Sequence, residues 1–337
     1  MLLSFIIPAY NCSRYIDCCL ESLFAQGLDK DDYEIVVVND GSTDDTEEKV
    51  KRYCDENENI RLISTPNRGV GKARNEGIRF AKGRYVHFMD ADDRLLPDGM
   101  RILFDNYVVP ENFPDVVSFY SHTVDRYYDA EKWDTIRPHA ALFKGTLAEC
   151  ADARGVGNSV WVQLISRDLI INSKLEFSDH KIGEDMLFML RLHCIEDATG
   201  LATNLNIYRY HVREESAMNA TNKEHVLAVF DSLTDLSDRL KELRASSSLP
   251  AFVVDPHIDI CKRWAFTRLS SAPLTCDEIH MCLNKANKKG LFRNGSDRSS
   301  LYRFIYFVSR HPILFYMFSA GYMKIFLPLV KPYLKRN

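Results

Sequence analysis

Four short apolar segments, of which the first three are each followed by a polar turn and a helical pattern, occupy the N-terminal part of the chain. They are predicted to be strands, in chain order Leu2–Ile7, Glu34–Val38, Ile60–Ser64 and Arg84–Met89. Short, largely apolar strands are typical of a sheet that is covered on both faces. Because the strands alternate with helices through short loops, the pattern predicts an α/β fold with a mostly parallel, doubly wound sheet. Ligands of such sheets bind beyond the carboxyl ends of the strands.

Three carboxylates follow the fourth predicted strand, at Asp90, Asp92 and Asp93. Because alternate side chains of an extended segment lie on the same side, Asp90 and Asp92 are expected to face one shared space. Two neighbouring carboxylates repel each other unless a cation lies between them. Mg²⁺ and Mn²⁺ accept such oxygen ligands, and substrate phosphates usually complete their coordination. The motif therefore predicts a metal–diphosphate site, and the alternative is that Asp93 only begins a helix.

Polar loops after the other strands are expected at the same edge of the sheet. Pro8-Ala9-Tyr10-Asn11 follows the first strand and offers an aromatic ring that can cover a base. Asp40, after the second strand, can accept hydrogen bonds from a base or a ribose, while the residues after it cap the next helix. The glycine-rich segment Asn67–Asn75 opens a helix whose N-terminus favours anions, and Arg74 can reach a nucleotide from there. The alternative for each segment is a purely structural loop.

Glu184 and Asp185 begin an apolar helical pattern that runs to Glu196. An acid in the first turn of a helix favours its ionised form. An ionised carboxylate can act as a general base toward a hydroxyl. The alternative is that the two acids only cap the helix.

Taken in order, these motifs resemble glycosyltransferase family 2. Any one of them is unspecific, whereas five in this order at suitable spacing are specific. The resemblance is strong to about residue 100 and extends to about Ser216, and it rests on Ile7–Asn11, Val38–Asp44, Asn67–Asn75, Asp90–Asp93 and Glu184–Asp185. The family implies a glycosyltransferase A fold, a nucleotide-sugar donor, Mn²⁺ or Mg²⁺ and, in most members, inversion at the anomeric carbon.

The resemblance also implies roles for individual residues. Asp92 would bind the metal that bridges the diphosphate. Asp185 would take the proton from the acceptor hydroxyl as that oxygen attacks C1. A single displacement needs no covalent intermediate, so no nucleophilic serine or cysteine is expected. The base and ribose of the donor are assigned to Pro8, Ala9, Tyr10, Asp40, Arg74, Asp90 and Ala91.

The segment Tyr208–Ser216 resembles the part of the family that closes the donor site. It makes His211 a further candidate metal ligand. A histidine near a strand end and a tryptophan in an apolar segment are also common as structural residues, so that alternative stays open for His211 and Trp161. The candidates for contacts to the diphosphate or the acceptor are Arg213, Ser216, Glu184 and Trp161.

Composition limits the class of protein and its partners. The 337 residues are 46% hydrophobic and 27% charged, as in folded proteins, and the net charge of −4 does not favour nucleic acid. The nine cysteines are an odd number without a Cys-x-x-Cys pair. They indicate reduced cytosolic thiols and neither a disulfide framework nor a zinc site.

We predict a catalytic domain over 1–220, with a nucleotide-binding half over 1–100 and an acceptor half over 101–220. A helical region over 221–297 and a tail over 298–337 follow it.

The tail from Arg298 to Asn337 carries seven basic residues and no acidic ones, so the rest of the chain carries −11. Its longest uncharged run, His311–Met323, has 13 residues and is too short to span a bilayer. Aromatic and basic residues together suit an anionic membrane surface, and the alternative is a helix packed on the catalytic domain. With the family resemblance, the tail predicts a peripheral enzyme on the cytoplasmic face of the membrane. That enzyme would use a UDP-sugar and a glycan or lipid-linked acceptor in surface polysaccharide biosynthesis.

Two other classes remain open. A nucleotidyltransferase on a similar sheet needs a glycine-rich, basic loop after the first strand, and Pro8–Asn11 is not such a loop. A catalytically inactive, membrane-bound scaffold would be expected to lose Asp92 or Asp185, and both are present.

Overall fold

The computed structural model describes residues 1–108, 113–124, 143–154, 156–212, 222–271, 274–292 and 307–321. The four N-terminal strands pair in parallel, in the spatial order β3-β2-β1-β4. Because the order reverses between β1 and β4, the predicted ligand edge lies where these two strands end. The predicted strands and helices are all present, as β1 (Leu3–Ala9), α1 (Ile16–Phe24), β2 (Tyr33–Asn39), α2 (Thr46–Glu56), β3 (Ile60–Ser64), α3 (Val70–Phe80) and β4 (Tyr85–Phe88).

The second half of the sheet is mixed. Its strands are β5 (Arg94–Leu95), β6 (Val116–Val124), β7 (Phe143–Thr146), β8 (Gln163–Ser166) and β9 (Thr199–His211). Among the described residues, nine strands form one sheet in which β4 is followed by β8, β6, β9 and β5, and β7 also pairs with β9. β8 is antiparallel to β4 and β6, and β9 is antiparallel to β5 and β7. The predicted α/β class is confirmed, while parallel pairing dominates only in the N-terminal half.

The helices of this half are α4 (Gly99–Tyr107), α5 (Leu147–Arg154), α6 (Arg167–Asn172) and α7 (Glu184–His193). In this half the local sequence pattern predicts a strand over Ile207–His211, which covers only the end of β9, and it does not predict β5, β7, α4 or α5. The added part of β9, from Thr199 to Asn206, has no continuous apolar run. It becomes a strand because it pairs with β6 and β7, so tertiary pairing overrides local preference.

Two glycines hold α3 close to its neighbours on both sides. A Cβ atom at Gly77 would lie 2.3 Å from Cγ2 of Ile6 in β1. A Cβ atom at Gly71 would lie 2.3 Å from the carbonyl oxygen of Ser178, in the segment before α7. Only glycine permits such close approach. Arg74 lies between the two glycines along α3, and it is therefore enclosed, with 3% of its surface exposed.

By its internal contacts the chain divides into two compact units, Met1–Asp179 with Glu184–Arg213, and His180–Gly183 with Glu214–Asn337. Within the part of the chain that the structure describes, no helix combines the length and the apolar character that a membrane span requires. The described residues of the second unit form the predicted helical extension, with α8 (Lys223–Ser246), α9 (Ala251–Ser271), α10 (Cys276–Lys288) and α11 (Pro312–Gly321).

Candidate active site

The loops that follow β1 and β2 are hydrogen-bonded to each other. Asn11 has a left-handed backbone (φ 47°), and its N–H donates to Oγ of Ser42 at 3.0 Å. The N–H of Thr43 donates back to Oδ1 of Asn11 at 2.8 Å. Ser42 and Thr43 thus bind the neighbouring loop. The prediction from the sequence that they cap α2 is therefore wrong. The mutual bonding fixes the position of Tyr10, which is 50% exposed at the end of β1.

Asp40 holds the loop that leads into α3. One of its carboxylate oxygens accepts the N–H of Arg68 and the other accepts the N–H of Gly69, both at 2.8 Å. Its own N–H donates to the carbonyl of Ala9 at 2.8 Å, which ties the ends of β1 and β2 together. A carboxylate has about four acceptor positions, so these bonds leave capacity for a ligand. The predicted contact of Asp40 with the nucleotide remains a prediction.

Arg74 bridges two carboxylates that are far apart in sequence. Its guanidinium donates to Asp90 at 2.9 Å and to Glu184 at 2.7 Å, and it lies 5.3 Å from the ring centre of Phe177. Burial alone would lower the pKa of Arg74, but the two carboxylates raise it above its usual value, so the side chain stays charged. The bridge connects the end of β4 to the first turn of α7. The sequence interpretation had placed Arg74 on the base of the donor and had not anticipated this role.

Asp185 is a half-buried carboxylate next to this bridge, in the first turn of α7. Burial raises its pKa to about 8, the negative charge of Glu184 adds to the rise, and Arg74 opposes it. The expectation that the helix start would favour the ionised form was wrong in direction, because desolvation outweighs the helix dipole. A carboxyl group with a pKa near the working pH is suited to general base catalysis.

The third acid of the Asp90–Asp93 motif has a structural role that the sequence did not reveal. Asp93 is completely buried and accepts the hydroxyl of Tyr208 at 2.5 Å and the N–H of His211 at 2.7 Å. Burial and the charges of Asp92 and Asp90 raise its pKa. The alternative that Asp93 begins a helix does not hold, because α4 begins only at Gly99. A third acid directly after an Asp-x-Asp pair, with a tyrosine in a later strand, is the signal that could have indicated this contact.

Asp92 and Asp90 are both half-buried, whereas Asp93 is completely buried. Asp90 is paired with Arg74, so Asp92 is the candidate of the three for a metal ligand. Within the described residues, no group of three His, Cys, Asp or Glu side chains is placed to hold a metal ion. Mg²⁺ is often held by one or two carboxylates together with substrate phosphates, and Asp92 fits a site of that kind. His211 lies next to this region, with its ring 5.4 Å from that of Tyr15.

Trp161 stacks on two tyrosines of β9. Its ring centre lies 4.6 Å from that of Tyr208 and 5.4 Å from that of Tyr210. The indole is half-buried, so one part packs against the core and another part faces solvent. Both alternatives for Trp161, a core residue and an acceptor contact, are consistent with this position. Arg213 and Ser216 lie outside the described residues.

Comparison with known proteins gives a family match for the N-terminal part of the chain. Residues 4–155 match the model of glycosyl transferase family 2. Chondroitin synthase of Pasteurella multocida (strain Pm70) is 39% identical over 107 residues, which are 32% of this chain and 11% of that protein. The putative glycosyltransferase EpsH of Bacillus subtilis (strain 168) is 27% identical, with 96% of each chain aligned. The chain thus spans only a small part of the chondroitin synthase.

Solved structures share the fold. TarS 1–349 of S. aureus in complex with UDP-GlcNAc superposes with a TM-score of 0.63 at 19% identity, over 96% of this chain and 91% of that one. Mannosyltransferase PcManGT of Pyrobaculum calidifontis, in complex with GDP-Man and Mn²⁺, superposes with a TM-score of 0.54 at 15% identity, over 95% and 86%. The glycosyltransferase A fold is therefore confirmed.

Proposed function

We propose that the protein is an inverting glycosyltransferase that moves a hexose or an N-acetylhexosamine from a UDP-sugar to a hydroxyl of a glycan acceptor. The family match and the glycosyltransferase relatives support the reaction class. The UDP-GlcNAc bound to TarS supports a UDP-linked donor. Residues 1–100 are assigned to the donor and 101–220 to the acceptor, with a helical region over 221–297 and a membrane-directed tail over 298–337.

The observation that carries this proposal is the position of Asp185 beside the Arg74 bridge. The bridge joins α7, which bears the proposed base, to the end of β4, which bears the proposed donor ligands. Asp185 takes the proton of the acceptor hydroxyl while that oxygen attacks C1 opposite the leaving nucleotide. The bond from C1 to the acceptor oxygen forms as the bond from C1 to the diphosphate breaks, so the configuration inverts. With a pKa of about 8, Asp185 accepts this proton in its ionised form, and the ionised fraction grows as the pH rises toward 8.

The donor is proposed to lie at the carboxyl ends of β1, β2 and β4. A divalent ion held by Asp92, with His211 as a second candidate ligand, supplies charge neutralisation for the leaving diphosphate when it is bound. The Mn²⁺ in the complex of PcManGT supports a divalent ion, and Mg²⁺ is the alternative. The nucleotide is assigned to the strand ends and loops that carry Pro8, Ala9, Tyr10, Asp40, Arg74, Asp90 and Ala91.

The acceptor is proposed to be a growing surface polysaccharide carried on a lipid. Relatives named as chondroitin synthase and as poly(ribitol-phosphate) β-glucosyltransferase support polymer synthesis. Glu184, Trp161, Arg213 and Ser216 are proposed to contact the acceptor or the diphosphate. A lipid-linked acceptor places the enzyme at the cytoplasmic face of the membrane.

The test is release of UDP from a panel of UDP-sugars, with Mn²⁺ or with EDTA. Asp185→Asn should lower kcat by about 10²–10⁴-fold while donor affinity stays close to wild type. Asp92→Asn should weaken metal-dependent donor binding. Asp105→Asn is the matched control, because Asp105 is an exposed acid of α4 in the same unit, and it should behave like wild type.

Each outcome separates the proposal from its alternatives. Metal-dependent turnover of one donor, lost in the two site variants and kept in the control, supports the transferase and names the sugar. Full activity of Asp185→Asn would overturn the assignment of the base. If wild type neither binds nor turns over any donor, the inactive scaffold is the better interpretation.

A further inference from the structure

The helix α11 exposes large apolar side chains in the second unit. Ile313, Leu314 and Met317 are 69%, 45% and 64% exposed, and Phe307, just before the helix, is 56% exposed. Contiguous clusters of exposed apolar side chains on a folded protein mark interaction surfaces, whereas single exposed apolar side chains do not. We call Ile313, Leu314 and Met317 the apolar face of α11.

The opposite side of α11 is anchored in the unit. Phe315 is completely buried, and its ring lies 5.1 Å from that of Phe266 in α9, in an edge-to-face arrangement. Immediately before α11, the side-chain amide of Asn287 in α10 donates to the carbonyl of Ser309 at 3.0 Å. The apolar face is therefore presented on a helix that is held by packing, and its exposure is not that of a loose end.

The charge around α11 distinguishes between the possible occupants of this face. Arg310 is exposed next to the helix, and the segment from Arg298 to Asn337 contains seven basic residues and no Asp or Glu. A second copy of the chain would bring two acid-free, basic segments together, which is unfavourable. An anionic lipid surface is attracted by basic residues and accepts apolar side chains below its headgroups.

We propose that α11 docks on an anionic membrane surface, with its apolar face in the headgroup and acyl boundary and Arg310 at the level of the lipid phosphates. The helix lies in the plane of the interface and does not cross it, in agreement with its length of 10 residues. This surface rests on the membrane-directed tail of the proposed function and assigns its membrane contact to one helix. It would bring the enzyme to an acceptor carried on a lipid, and it is tested separately from the transferase reaction.

The test is co-sedimentation of the full chain with phosphatidylcholine vesicles, with and without phosphatidylglycerol. The triple variant Ile313→Ser, Leu314→Ser, Met317→Ser should bind phosphatidylglycerol vesicles about ten-fold or more weakly than wild type, and salt should weaken the binding of wild type. The matched control is the double variant Phe252→Ser, Met281→Ser, which removes side chains that are 62% and 66% exposed on α9 and α10. It should bind like wild type.

Thermal unfolding and UDP release in detergent-free solution separate this proposal from the transferase proposal. The unfolding temperature and the rate of UDP release should be unchanged in the triple variant. Met317→Ser alone should also weaken vesicle binding, by less than the triple variant does. Equal binding of the triple variant and wild type would overturn the proposal, and so would a lack of binding of wild type to either vesicle. Self-association of wild type that the triple variant abolishes, measured by sedimentation velocity, would show that a second copy covers the face instead.

Discussion

Replacing the two ends of the buried ion pair between Arg74 and Glu184 should move the pKa of Asp185 in opposite directions. In the wild-type protein, burial and the charge of Glu184 raise this pKa to about 8, and Arg74 opposes the rise. Glu184→Gln removes a negative neighbour and leaves Arg74 with less charge to neutralise, so the pKa of Asp185 falls. Arg74→Met removes the cation, so the pKa rises.

The expected magnitudes follow from the burial of the pair. A charged neighbour changes a pKa by about 1–3 units, at ~1.4 kcal/mol per unit, so we expect shifts of about one unit down for Glu184→Gln and up for Arg74→Met. Glu184→Gln keeps a hydrogen-bond acceptor for Arg74 and should cost ~1.5–3 kcal/mol in the free energy of unfolding. Arg74→Met leaves Glu184 and Asp90 without their cation and should cost about 3–5 kcal/mol.

The assay is the pH dependence of kcat for UDP release. Because the ionised form of Asp185 is the proposed base, the rate of wild type is expected to rise with pH and to level off above the pKa of Asp185. The matched controls are Arg79→Met and Glu76→Gln, which remove the two ends of an ion pair of 3.2 Å on the surface of the same helix, where the Arg79 side chain is 70% exposed. These variants should leave the midpoint of the profile unchanged.

A shift of the midpoint in the same direction in both site variants would refute this coupling between Asp185 and the ion pair. So would an unchanged midpoint in both variants while both remain folded. A uniform loss of kcat without a shift would mean that the bridge only positions α7. Shifts of equal size in the surface controls would mean that the profile reports the net charge of the protein and not the neighbours of Asp185.

Three further predictions concern stability, measured by urea unfolding. Because burial raises the folded-state pKa of Asp185 from 3.8 to about 8, its ionisation destabilises the fold as pH rises between these values. The free energy of unfolding of Asp185→Asn should therefore equal that of wild type near pH 4. Above pH 8 it should exceed that of wild type by about 2–3 kcal/mol, after allowance for partial solvent exposure. Tyr208→Phe removes the hydroxyl that donates to the buried Asp93 and should lower the free energy of unfolding by ~1.5–3 kcal/mol. An unchanged free energy of unfolding would contradict this hydrogen bond. Gly77→Ala forces a methyl group against β1 and should cost ~1–3 kcal/mol, whereas Gly157→Ala, with open space around it, should be nearly neutral.

The sequence was sufficient for the N-terminal half of the fold and for the edge of the sheet at which its polar loops meet. The apolar runs of β1 and β2 are buried along almost their whole length, so their local pattern and their tertiary environment agree. The acids after β4 and the polar loops after β1 and β2 meet at one edge because parallel strands place their carboxyl ends together. The sequence also indicated that an acidic pair, Glu184 and Asp185, begins an apolar helix, and α7 does begin at Glu184.

Only the tertiary structure decided how these residues interact. Asp90 and Glu184 are separated by 94 positions, and nothing in either motif indicates that Arg74 joins them; the contact exists because α3 packs closely on its neighbours through Gly71 and Gly77. The direction of the pKa shift of Asp185 likewise depends on desolvation, which is a property of the packed chain. Hydrophobic periodicity reports which residues are buried, whereas the partners of a buried charge are set by contacts between segments that are distant in sequence.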